Sequence, residues 1–298
     1  GHHVGLAPTG QRGADTVGVG SQESNVDHAR QASAALLRGP RAIAAPCGGR
    51  WPLARAHATA VASTPAAAAE VENLTVRYGD LVAVRDVSFS AAAGQITAVL
   101  GPNGAGKTTF VNLITGVEVP DAGSVKLDGR DITGLEPHRI AGHGLVRSFQ
   151  HARVFGNLTC VENLMIPSFA SGSEEGTAGG LARATELLRL STLTPLAEAP
   201  ASSLSGGQRM LLQACAGFMI PAISVYVLDE PFAGINPVVK DTLIELIMHE
   251  NRTRGITFLV VSHEMDIIRR MCPRVTVMIA GQVAAEGSLH EVAAREDV

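Results

Sequence analysis

The chain has 298 residues, enough for one large or two modest domains with a full apolar core. Its 24 basic and 28 acidic residues give a net charge of −4, which excludes a strongly basic nucleic-acid coat as its dominant character. A hydrophobic content of 46% with only 4% aromatics suits an aliphatic-cored α/β protein, and four scattered cysteines without a CxxC pair argue against a zinc ribbon or disulfide scaffold and for a reducing compartment.

Residues 1–69 carry six arginines against three acids, are rich in Gly, Ala and Pro, and show no sustained period. They read as a disordered extension. The acid-free run between Asp27 and Glu70 also has the composition of an organellar transit peptide, although an unstructured extension accounts for it without one. Gly1-His2-His3 in place of an initiator methionine reads as a trimmed chain.

From Val71 the pattern becomes orderly. Asp86 to Ser90 alternates as a strand with Val87 and Phe89 on one face, and Gly94 to Leu100 is a short apolar strand. Thr108 to Thr115 continues as a helix, and Gly123 to Gly129 is a strand bounded by turn residues. Pro137 marks a helix start, and Thr159-Cys160-Val161-Glu162 has the spacing of a capping box opening a helix toward Met165. Residues 171–180 read as a Gly/Ser/Glu-rich loop, after which Leu181, Ala184 and Leu188 mark one helical face. Met210 to Leu228 runs without a charge for nearly the length of a membrane span, but Pro221 interrupts it and Val225 to Leu228 reads as a core strand. Asn236-Pro237 offers an N-cap and first-turn proline for a helix with Val239, Leu243, Leu246 and Ile247 as its buried stripe. Thr257 to Val261 is a further buried strand, and strands alternating with helices imply a parallel-sheet core.

Gly101-Pro102-Asn103-Gly104-Ala105-Gly106-Lys107-Thr108, followed by Thr109, matches the G-x-x-x-x-G-K-[ST] loop between a strand and a helix. Its glycines let backbone N–H groups converge on phosphate oxygens, and the helix N-terminus adds favourable partial charge. Lys107 is placed to reach the β- and γ-phosphates and the Thr108 hydroxyl to ligate Mg²⁺. Val225-Tyr226-Val227-Leu228 then delivers Asp229 and Glu230 to a strand end, with Asp229 suited to hold Mg²⁺ through water and Glu230 to activate the attacking water.

Leu204-Ser205-Gly206-Gly207-Gln208, about twenty residues before that acidic pair, presents a hydroxyl, backbone N–H groups and a helix N-terminus to an anion. This arrangement resembles the ATP-binding-cassette (ABC) ATPases, whose signature motif it matches. The resemblance runs from residue 70 to about 290. It implies that Tyr78 stacks on adenine, that Gln150 touches Mg²⁺ and the attacking water, that His263 contacts the γ-phosphate, and that Ala233 to Pro237 form the D-loop. The fold it implies is α/β: a phosphate-loop core of mainly parallel sheet, an N-terminal antiparallel β region and an α-helical signature subdomain. The corresponding division is 70–147 with 221–298 for the core and 148–220 for the helical subdomain.

Gly144 to Phe155 and Glu230 to Pro237, with Asn236 in the D-loop, look like the ATPase subunits of branched-chain amino acid importers. Urea and short-amide importers carry similar motifs. Ala216 stands where that branch usually has arginine, and the chain stops at Val298, before the branch's short C-terminal segment; both bear on the solute rather than on the nucleotide. The resemblance implies ATP and Mg²⁺ as ligands and a second ABC protomer, identical or not, whose signature motif completes each site. It further implies membrane permease subunits docking near His151 to Ser168, a solute-binding protein acting indirectly, no nucleic acid, and a peripheral position on the cytoplasmic face of the membrane. An exporter ATPase is the alternative within transport. A non-transport ABC ATPase is disfavoured because neither a second cassette, a long coiled coil nor zinc cysteines are visible.

Overall fold

The computed structural model describes residues 67–148, 152–169 and 174–295. Strands β1 (Ala67–Tyr78) and β2 (Leu81–Ala92) form an antiparallel hairpin, extended by β4 (Ala122–Leu127) and the short β5 (Arg130–Asp131) in the order β2-β1-β4-β5. A second sheet is built from β3 (Ile96–Leu100), β6 (Leu145–Arg147), β7 (Val225–Asp229), β8 (Thr257–Val261), β9 (Arg274–Ile279) and β10 (Gln282–Gly287). Its order is β10-β9-β3-β8-β7-β6, parallel throughout except for the edge strand β10. This is the mainly parallel core with an antiparallel β region that the sequence implies.

The helices are α1 (Lys107–Ile114), α2 (Pro137–Gly142), α3 (Cys160–Phe169), α4 (Glu174–Leu190), α5 (Gly206–Phe218), α6 (Pro237–Arg254), α7 (Met265–Met271) and α8 (Leu289–Ala293). They cover the parallel sheet on both faces, which explains why its strands are apolar runs rather than alternations. Along β7 the side chains divide by parity. Val225 and Val227 join a core with α1 and the antiparallel sheet, while Tyr226 and Leu228 join one with α3 to α7. β8 divides in the same way, Leu259 and Val261 against Phe258 and Val260. Each side chain buried in this manner contributes about 1.5–3 kcal/mol before ordering entropy is counted.

The local signals are realised in the chain. Thr159 and Glu162 form the reciprocal box, with Glu162 Oε2 accepting from Thr159 N at 2.7 Å and Thr159 Oγ1 from Glu162 N at 3.2 Å. Asn236 Oδ1 caps α6 by accepting from Val239 N at 3.0 Å. The uncharged run from Met210 falls partly in α5 and partly in β7, and among the described residues no helix is long and apolar enough to cross a membrane.

Two expectations shift. Residues 174–180, read as loop, begin α4, because a helix with Ala184, Leu187 and Leu188 packed in the core propagates through glycines that cost about 1 kcal/mol each. Strand β1 also starts at Ala67, with Ala68 and Ala69 buried, so ordered sheet reaches into the segment read as extension. Helices α4 and α6 are joined by a buried ion cluster: fully buried Glu250 accepts from Arg183 and, at 3.2 Å, from Arg254, which also donates to the Phe218 carbonyl at 2.8 Å.

Candidate nucleotide-binding site

Strand β3 ends at Leu100 and the chain turns through the glycine loop into α1. Gly101 has φ +147°, and a Cβ there would come within 2.2 Å of the Met278 carbonyl in β9. Gly106 has φ +94°, and its Cβ would meet the Ala83 carbonyl in β2 at 2.7 Å. Only glycine satisfies both the backbone and the space. The far wall is tied as well, since Gly281 N donates to the Ala105 carbonyl at 3.0 Å and the Gly281 carbonyl accepts from Arg85 N at 2.8 Å. The loop is thus gripped between the two sheets while Pro102, Asn103 and Gly104 stay exposed.

The first turn of α1 carries no acidic residue, so its positive end is not locally neutralised. Lys107 Nζ folds back over the loop, donating to the carbonyls of Gly101 at 2.7 Å and Pro102 at 3.0 Å. The Thr108 side chain is exposed at the helix start and Thr109 is half-buried. Tyr78, at the end of β1, is 49% exposed and donates its hydroxyl to Glu118. That hydrogen bond, with burial and the Glu118 charge, raises the phenol above its ordinary range, although Thr109 opposes the shift.

Asp229 and Glu230 stand at the C-terminal end of β7, two strands from β3 and on the same edge of the sheet as the loop, where α/β folds bind ligands. They face different surroundings. Asp229 is 8% exposed, its carboxylate accepting from Arg147 Nη2 at 2.9 Å. Glu230 adopts φ +48°, a conformation that costs a non-glycine residue about 1–3 kcal/mol. Its N–H continues the β7–β8 ladder by donating to the Val261 carbonyl at 2.9 Å. The turn carries the Glu230 carboxylate to within 3.1 Å of His263 Nδ1, just beyond β8.

The Ser205 segment opens α5. Ser205 Oγ accepts from Gln208 N at 3.3 Å and Gln208 Oε1 accepts from Ser205 N at 2.9 Å, a complete capping box. Ser205 and Gly206 are exposed. Gly207 packs tightly, since a Cβ there would come within 3.1 Å of Val239 Cγ2 on α6. Gln150 lies outside the described residues. Sequence reasoning missed Asn112, Glu118 and the side chain of Arg147, which join the two ends of the site. Arg147 was legible only as a member of the run leading to Gln150, and nothing local marks the other two.

A glycine loop wedged between strand and helix, with a carboxylate pair on the same sheet edge, defines a phosphate-loop nucleoside triphosphatase. Residues 84–233 match the family model described as ABC transporter, and the chain belongs to that family. It is similar to the probable branched-chain amino acid transport ATP-binding protein LivG of Archaeoglobus fulgidus, 34% identical over 75% of this chain and 90% of that one. The high-affinity branched-chain amino acid transport ATP-binding protein BraF of Pseudomonas aeruginosa is 34% identical over 77% of this chain and 94% of its own. The methionine import ATP-binding protein MetN of Latilactobacillus sakei is 35% identical over 70% of this chain but 61% of its own. Among solved structures, a nucleotide-free ATP-binding cassette from an ABC transporter superposes with TM-score 0.69 and 30% identity, covering 78% of this chain and 97% of that one. The ADP conformation of another ABC-transporter cassette gives TM-score 0.67 and 32% identity, covering 76% and 92%. The chain is therefore an ATP-hydrolysing, nucleotide-binding subunit of an ABC transporter, a class that works with transporter partners and as a dimer.

Proposed function

We propose that this subunit powers an importer of branched-chain amino acids. The observation that carries the reading is the likeness to LivG and BraF over at least 90% of their lengths, against 61% for the methionine-import relative. The runs Gly144 to Phe155 and Glu230 to Pro237 support the same branch. Reconstitution with its permease pair in vesicles tests it. Leucine-loaded binding protein should raise leucine uptake and ATP turnover together. Uptake of methionine or urea with none of leucine would overturn the solute assignment.

In this reading the backbone N–H groups of residues 103–109 cradle the triphosphate, with Gly101 to Gly106 forming the turn and Thr109 and Tyr78 flanking the nucleotide. Tyr78 offers an exposed ring to adenine, and Lys107 exchanges the Gly101 and Pro102 carbonyls for β- and γ-phosphate oxygens. Glu230 takes a proton from the water that attacks the γ-phosphorus while the bond to the β–γ bridging oxygen breaks, giving ADP and phosphate. His263 holds the Glu230 carboxylate on one side and faces the γ-phosphate on the other.

Mg²⁺ fits by donor chemistry. The Thr108 hydroxyl and the Asp229 carboxylate are hard oxygen ligands, with Gln150 as the third expected group. Phosphate oxygens and water would supply the remaining ligands, as Mg²⁺ prefers. When bound, it would neutralise charge on the β- and γ-phosphates.

Ser205, Gly206, Gly207 and Gln208 act on the nucleotide of a second protomer. Their support is an exposed, pre-capped helix N-terminus suited to an anion. Permease subunits dock near His151 to Ser168, a segment in which Phe155 is an exposed aromatic. A solute-binding protein acts through that permease, and the subunit sits peripherally on the cytoplasmic face. Residues 1–66 take no part in the hydrolysis.

A further inference from the structure

The base side and the metal side of the site are joined by one continuous line of side chains. Helix α1 ends in a turn that brings Glu118 back over Asn112, whose own carbonyl accepts from Val117 N at 2.9 Å and Glu118 N at 3.3 Å. Glu118 Oε1 then accepts from Asn112 Nδ2 at 2.7 Å, and its other oxygen accepts from the Tyr78 hydroxyl. On the opposite side Asn112 Oδ1 accepts from Arg147 Nη1 at 2.6 Å, and Arg147 Nη2 donates to Asp229 at 2.9 Å. The order is Tyr78, Glu118, Asn112, Arg147, Asp229.

The polarity of this line singles out its middle member. Glu118 and Asp229 only accept, and Arg147 only donates. The residue between Glu118 and Arg147 must therefore donate on one side and accept on the other, which an amide does and a carboxylate does not. Arg147 and Asp229 are 12% and 8% exposed, so their alignment is poorly screened by water. Asn112 lies on the helix behind the phosphate loop, in none of the motifs that touch nucleotide.

We propose that Asn112 is a positioning residue that orients the base-side Tyr78 and the metal-side Asp229 through Glu118 and Arg147, so that base recognition and cation binding both depend on one amide. The proposal rests on the roles given above to Tyr78 and Asp229. Tyr78 is exposed at a strand end and needs the Glu118 anchor to hold its ring in place. Asp229 needs a fixed rotamer to present an oxygen to a hydrated cation, and the shared guanidinium fixes it.

The test uses the full chain, with ATP and tripolyphosphate as ligands and Mn²⁺ followed by electron paramagnetic resonance. Asn112→Leu should lower the preference for ATP over tripolyphosphate about tenfold, and Mn²⁺ affinity in the presence of tripolyphosphate about tenfold. Its affinity for tripolyphosphate without metal, which needs only the loop, should stay at the parental value. Asn112→Asp keeps the acceptor toward Arg147 but sets a carboxylate against Glu118, so only the preference for ATP should fall. If Asn112→Leu does not fold, this nearly isosteric variant decides the matter. Retention of the ATP preference in Asn112→Asp, or loss at only one end in a folded Asn112→Leu, would overturn the proposal. Tyr78→Ala should remove the base preference alone and Asp229→Asn the Mn²⁺ affinity alone. If either control has no effect, the site reading itself is wrong and the proposal goes with it, an outcome distinct from working controls beside an inert Asn112.

Discussion

The Glu230 carboxylate lies 3.1 Å from His263 Nδ1, although the two residues leave neighbouring strands and Glu230 must adopt φ +48° to reach it. Strain at a strand end is retained where the position of a side chain matters more than its local cost. Glu230 is 18% exposed and His263 73%, so the carboxylate is fixed at the site's floor while the imidazole faces outward. Glu230→Gln should keep ATP affinity within about threefold while lowering turnover at least about a hundredfold, the range lost with a general base. Binding and turnover measured on one preparation check this, and near-parental turnover would remove Glu230 from its role.

Lys107 makes the opposite prediction. It is the loop's one cationic side chain, and in the structure it donates to Gly101 and Pro102 carbonyls that a triphosphate would displace. Lys107→Ala should weaken ATP binding by about tenfold or more, the scale of one charge-assisted hydrogen bond. Direct titration reads the effect. Unchanged affinity would mean that the glycine loop is not the nucleotide site.

How much of this was open to the sequence depends on the range of each interaction. The phosphate loop, the Thr159–Glu162 box and the Asn236 cap are set by residues within a few positions of one another, and their chemistry can be read from spacing. The start of α4 could not be, since local glycines argue for a loop and only the packing of Ala184, Leu187 and Leu188 in the core outweighs them. The line from Tyr78 to Asp229 was equally hidden. Its members come from β1, α1, the turn after α1, β6 and β7, so only the assembled fold brings them together.

Two glycines of one helix separate packing from function. A Cβ on Gly217 would meet the Tyr226 hydroxyl at 2.3 Å, and that buried ring packs edge-on to Phe218 at 5.1 Å. Gly217→Ala should destabilise the fold by about 1–3 kcal/mol. A Cβ on Gly206 meets nothing within 4 Å, so Gly206→Ala should retain parental stability and instead reduce ATP turnover by crowding the partner's nucleotide. Denaturant titration beside an ATPase assay distinguishes the two. A loss of stability at Gly206 would show a packing role that the structure does not contain.

The first strand sets where the chain can be shortened. Ala68 and Ala69 are buried in β1, and Ala67 pairs with Ala92. Removal of residues 1–66 should leave folding and ATP hydrolysis at parental levels, whereas removal through Leu74 should lower stability because it takes pairing and core from the antiparallel sheet. Thermal unfolding of both truncations checks this. An inactive or unfolded 67–298 protein would assign the N-terminal segment a part in the cassette.

In the proposed dimer this chain carries half of each ATP site, and Ser205 completes the other half across the interface. Size-exclusion chromatography of Glu230→Gln protein with and without ATP tests it most directly, because ATP held without hydrolysis should keep the dimer closed. Glu230→Gln protein should form an ATP-dependent dimer. Adding Ser205→Arg should give a monomer that still binds ATP, since Ser205 is exposed and caps only its own helix. An ATP-dependent dimer that survives Ser205→Arg in the Glu230→Gln background, or parental ATP turnover in protein carrying Ser205→Arg alone, would contradict a shared site.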